Sequence, residues 1–80
     1  MASKPYITTL LAHNQTLLVE VAGLLLKATN PTQRIVYTCF FLSYSHQVFL
    51  LQELLSTFVL PTNKFLEFRR ESLLKALKLS

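Results

Sequence analysis

The sequence lacks several residue types that common functional motifs require. Its 80 residues include no tryptophan, no aspartate, one glycine and one cysteine. With Gly23 alone, the chain has no glycine-rich loop that could hold a phosphate group. With Cys39 alone, it can form no disulfide within the chain, so we expect a reducing, intracellular location.

Charged residues are also scarce, at 15% of the chain against 51% hydrophobic residues. A chain this short has a large surface for its volume and is expected to carry more polar residues. We therefore expect a second copy of the chain, a protein partner or a membrane to cover part of its apolar surface.

The N-terminus has no basic segment followed by an apolar run, as a secretory signal peptide would have. A membrane-spanning helix needs about 20 mostly apolar residues in a row. Polar residues at 13–15, 45–47 and 52–53 interrupt the apolar runs. We therefore expect a cytoplasmic protein, with a nuclear or membrane-peripheral location as the alternative.

Residues typical of helix starts divide the chain into three parts. Asn30 can serve as an N-cap before Pro31, whose missing N–H costs nothing in the first turn of a helix. Ser3 can cap a first helix, and Thr62 or Asn63 a third.

The sequence thus predicts an all-α, antiparallel three-helix unit, with helices at about residues 4–29, 32–59 and 62–79. Short connections make consecutive helices antiparallel neighbours. We expect one helical domain over residues 1–80, completed by self-association into a larger helical bundle.

The second helix is the most apolar part of the chain and has two apolar faces. One face recurs at spacings of three and four and is predicted to form the core with the other helices. Its residues are Tyr37, Phe40, Phe41, Tyr44, Val48, Leu51, Leu55 and Phe58.

The second face consists of Ile35, Leu42 and Phe49, seven residues apart among polar neighbours. Because one neighbouring helix covers one seam, this face predicts an interface with another copy or a partner protein. Asn14 lies in an apolar arc of the first helix and joins the predicted interface, since a lone Asn can pair across such a seam. A water-bonded Asn14 is the alternative.

The third helix is amphipathic and basic. Its predicted apolar face holds Phe65, Leu66, Leu73, Ala76 and Leu77. Its predicted basic surface holds Lys64, Arg69, Arg70, Lys75 and Lys78, against two glutamates. This charge permits binding to an anionic membrane surface or to nucleic acid.

The sequence contains only weak matches to metal-binding and docking motifs. Cys39 and His46 share a side of the second helix, but no His-x-x-x-His or Cys-x-x-Cys spacing is present. Residues 51–55 match the L-x-x-L-L form of docking helices, although the core also needs these leucines. We expect no catalytic activity, cofactor, metal or small-molecule substrate.

The function predicted is a small non-catalytic protein-protein interaction module, such as an adaptor, assembly factor or regulatory subunit. It would bury its spare apolar faces against itself, as a homo-oligomer, or against a partner. The alternative is binding to a membrane surface or to nucleic acid through the basic third helix.

Overall fold

The structure, a computed structural model, describes residues 3–59, 61 and 63–79, which contain three α-helices and no strand. The helices are α1 (Lys4–Lys27), α2 (Pro31–Val59) and α3 (Lys64–Ala76). The predicted all-α three-helix unit is confirmed. Both α1 and α3 are shorter than predicted, and α2 begins one residue earlier.

Side-chain caps explain where the helices begin. Ser3 Oγ accepts a hydrogen bond from the N–H three residues on, at 3.4 Å, and Asn63 Oδ1 does the same at 2.9 Å. Asn30 Oδ1 accepts from the N–H two residues on, at 2.8 Å. Each bond satisfies a backbone donor of a first helical turn. Thr62, the other cap considered for α3, lies outside the described residues.

The end of α3 is set by a left-handed residue. Lys78 has a φ of 59°, and the N–H of Leu79 donates to Leu74 O at 2.9 Å. The N–H of Lys78 donates to Lys75 O at 3.1 Å. These two bonds form a Schellman motif, in which a left-handed residue ends the helix. This is why α3 does not continue to residue 79.

The cluster of fully buried apolar side chains lies at one end of the molecule, while Val21 and Ala28 are buried toward the other end. Ile7 of α1 and Leu51 and Leu54 of α2 are fully buried and in one cluster. Partly buried side chains pack around them: Leu10, Leu11, Leu55, Phe58, Leu73, Leu74, Leu77 and Leu79. The core thus combines the start of α1, the end of α2 and most of α3.

The other end of the molecule is an open two-helix hairpin. At 1.5 Å per residue, α2 is about 43 Å long and α3 only about 20 Å, so α3 covers less than half of α2. The buried residues of α2 all lie between 48 and 57, and none lies in 31–47. The radius of gyration is 15.2 Å, against about 11.6 Å for a compact domain of this length.

Candidate interaction surface

Ile35, Leu42 and Phe49 line one side of α2 and are exposed by 66%, 62% and 57%. We call these three residues the outer stripe. Leu42 precedes the fully buried Leu51 by nine residues, which is about two and a half helical turns. The outer stripe is therefore on the side of α2 opposite the core.

The outer stripe lies in an uncharged part of α2. No Lys, Arg, Asp or Glu occurs between Arg34 and Glu53. The polar neighbours of the stripe include the small, neutral Thr38 and Ser45, together with the larger His46 and Gln52. A protein covering this side of α2 would not have to remove water from an unpaired charge, which is the costly step in burying polar surface.

An ion pair connects the outer stripe to α3. Arg69 of α3 donates to the carboxylate of Glu53, which lies one turn beyond Phe49 on α2. Phe65 lies one turn before Arg69 and is 70% exposed. Because residues four apart are neighbours on a helix surface, the exposed apolar side continues from Phe49, past the ion pair, to Phe65.

The exposure of Phe65 corrects the predicted apolar face of α3. Leu66 is buried and Leu73 and Leu77 pack against the core, whereas Phe65 points outward. Residues 66, 73 and 77 are separated by seven and four positions, a spacing that places them on one side of the helix, and this is the side that faces the core. Phe65 is one residue, or about 100°, away from that line.

Asn14 lies apart from the outer stripe. Its side chain is 5% exposed, and Nδ2 donates to Leu10 O at 2.8 Å within α1. With Ile7 and Val21 it forms a line of buried residues seven apart on α1. The interface role of Asn14 stays a prediction, and in this structure the residue is inside the chain.

The five residues of the predicted basic surface are in different environments. Lys64, Lys75 and Lys78 are exposed, and Arg69 bonds to Glu53. Arg70 differs from the other four because it is half-buried.

Arg70 binds the end of α2. Its Nε donates to Thr57 Oγ1 at 3.1 Å and its Nη2 to Thr57 O at 2.7 Å. Its Cζ lies 4.3 Å from the centre of the Phe58 ring, close enough for a cation–π interaction. Arg70 therefore holds α3 against α2, and less positive charge is available to an external ligand than the sequence indicated.

The residues considered for metal binding or docking do not form such sites. In the described part of the chain, no three His, Cys, Asp or Glu side chains lie together as a metal site requires. Within the L-x-x-L-L match, Leu51 and Leu54 are fully buried. In the folded chain, that match is core and not a docking surface.

Helix α1 is long and apolar. Among the described residues it is the one helix long and apolar enough to cross a membrane, judged by length and composition alone. Few of its residues are buried within the chain, namely Ile7, Asn14 and Val21. Its apolar character is thus only partly explained by the core.

Comparisons with protein-family models, with curated proteins and with solved structures gave no match for this chain. The structure defines an all-α three-helix chain with an uncovered apolar stripe on its longest helix. Its function is therefore inferred from that surface.

Proposed function

We propose that the chain is a small non-catalytic protein-protein interaction module, of the adaptor, assembly-factor or regulatory-subunit kind, and that the outer stripe is its contact surface. The observation that carries this proposal is the alignment of three large apolar side chains, each more than half exposed, on one side of α2. Single exposed apolar residues are normal on proteins, but a continuous apolar surface with a polar rim is typical of an interaction site.

The total surface area supports the proposal. The chain exposes 5810 Å² of surface. A compact monomer of its mass is expected to expose about 4,900 Å², so the excess is about 900 Å². A stable protein interface covers about 800 Å² on each partner. The excess therefore equals about one side of an ordinary interface.

The test is a comparison of two triple variants. One changes the outer stripe, with Ile35→Ser, Leu42→Ser and Phe49→Ser. The matched control is Val19→Ser, Leu26→Ser and Phe68→Ser, at positions exposed by 73%, 86% and 71% outside the stripe. Circular dichroism measures helix content, and sedimentation equilibrium measures association.

A photo-crosslinking amino acid at position 42, introduced in the full chain in cells, identifies what contacts the stripe, with position 26 as the control. We expect a cross-linked adduct with the amino acid at position 42 and none at position 26. The purified partner should then bind the wild-type chain and the control variant but not the stripe variant. Both variants should remain helical. Unfolding of the stripe variant alone would assign the stripe to the intrachain core and refute the proposal.

We propose binding to a membrane surface as the alternative function. It is supported by the length and composition of α1 and by the exposure of Phe65 and Phe68, at 70% and 71%, close to Lys64. Flotation with anionic and neutral liposomes at low and physiological salt tests it, because attraction of a basic helix to lipid weakens with salt. Nucleic-acid binding stays a prediction; the internal contacts of Arg69 and Arg70 disfavour it.

A further inference from the structure

We infer that the outer stripe binds a second copy of this chain, with the two α2 helices antiparallel and Leu42 facing Leu42 of the partner subunit on a two-fold axis. This inference rests on the proposed function, since it names the partner of the same surface. Three features of the described residues support it: the spacing of the stripe, the position of the charges and the area available.

The spacing makes the stripe complementary to itself. Its residues are seven apart with Leu42 in the centre, so a reversed copy places Ile35 against the partner's Phe49. A two-fold interface requires such a self-complementary surface. In a parallel pair Phe49 would instead meet the partner's Phe49, and the bulky rings would coincide at one level.

The charges favour the antiparallel arrangement. Each chain has a net charge of +4, and residues 64–78 contribute +3 of it, with five of the eight cations against two glutamates. Because α3 packs on the C-terminal half of α2, an antiparallel dimer puts the two α3 helices at opposite ends. A parallel dimer would put them side by side, where like charges repel. The contacting segment, 35–52, contains no charged residue.

The area is sufficient for one such interface. The chain exposes about 900 Å² more surface than a compact monomer would. Each partner in an ordinary dimer buries a similar area, about 800 Å². The small side chains of Thr38 and Ser45 beside the stripe allow the two helices to approach closely.

The test uses single-cysteine variants of the full chain, with the exposed Cys39 changed to Ser. Leu42→Cys should form a disulfide-linked dimer under mild oxidation. Ile35→Cys and Phe49→Cys should each fail to cross-link alone, because the two copies of either residue are about 21 Å apart along an antiparallel pair. An equimolar mixture of these two variants should cross-link. Leu26→Cys, 86% exposed and off the stripe, measures the background from random collisions.

Sedimentation equilibrium of the wild-type chain is the second measurement. It is needed because a cysteine substitution within the stripe could itself weaken the dimer. We expect twice the chain mass of 9.2 kDa, falling to one chain in the outer-stripe variant. Self-cross-linking of Ile35→Cys and of Phe49→Cys would show a parallel pair and overturn the antiparallel arrangement.

A monomeric wild-type chain, with cross-linking at the Leu26→Cys level, would overturn the second copy as partner. The crosslinker at position 42 could then capture a different protein. If that protein, once purified, binds the wild-type chain but not the outer-stripe variant, the proposed function survives without this inference. If wild-type chains float with neutral vesicles and Leu42→Cys no longer cross-links there, lipid covers the stripe and both fall.

Discussion

Arg69 and Arg70 are adjacent in the sequence and make different contacts in the structure. The Arg69 guanidinium pairs with Glu53 at the surface, where the side chains are 45% and 34% exposed. Arg70 makes two hydrogen bonds to Thr57, whose own side chain is 1% exposed, and stacks on Phe58. Exposed ion pairs contribute little to stability because water and salt screen them, whereas a fixed, half-buried guanidinium contributes more.

Replacing each arginine with lysine should separate these two roles. Arg70→Lys keeps the charge but loses the planar donor pair, so we expect the free energy of unfolding to fall by about 1–2 kcal/mol. Arg69→Lys should change it by less than about 0.5 kcal/mol. Urea unfolding followed by circular dichroism measures both. Equal effects of the two substitutions would contradict the assignment of Arg70 to helix packing.

At the scale of the helices, the starts of α1 and α2 were predictable to within one residue, whereas α1 and α3 end two and three residues earlier than predicted. Caps act over two or three residues, so Ser3 and Asn30 could be recognised from the sequence, and Asn63 was one of two candidates for α3. The end of α3 depends on Lys78 adopting a left-handed conformation, which lysine disfavours and sequence patterns do not indicate.

Lys78→Gly should stabilise the protein for that reason. Glycine adopts a positive φ without the steric cost that a Cβ imposes, and part of this gain is offset by its greater freedom in the unfolded chain. We expect an increase in the free energy of unfolding of up to about 1 kcal/mol. Lys78→Ala is the control, because it removes the same charge but keeps the Cβ. Thermal unfolding that shows no difference between these two variants would contradict the predicted strain.

Across the whole molecule, the two ends differ in how much apolar surface they bury. Residues 48–57 of α2 contribute to a core shared by three helices, while residues 31–47 contain no buried side chain. Opening the hairpin end, where Val21 of α1 is buried, therefore exposes less additional apolar surface than opening the core end. Local opening is easiest where few apolar contacts are lost.

Amide hydrogen exchange should show this difference within a single helix. We expect protection in residues 48–57 to exceed that in residues 32–46 by at least about tenfold in the monomer. The outer-stripe variant provides that monomer if wild type associates. In wild type, protection of residues 35–49 should rise with protein concentration. Uniform protection along α2 in the variant would contradict the two-ended description.

The sequence by itself determined the features that depend on near neighbours. These are the helical class, the caps of α1 and α2, and the alignment of Ile35, Leu42 and Phe49 on one side of α2. Helical periodicity places residues seven apart on the same side regardless of what surrounds the helix.

Only the tertiary structure decided what covers each side. It turned Phe65 outward, put Arg70 against Thr57, buried Asn14, and left half of α2 without a third helix. These outcomes depend on the rotation and length of α3 relative to α2, which packing between distant residues sets. That packing is also the reason why the outer stripe remains exposed while Leu51 and Leu54 of the same helix are fully buried.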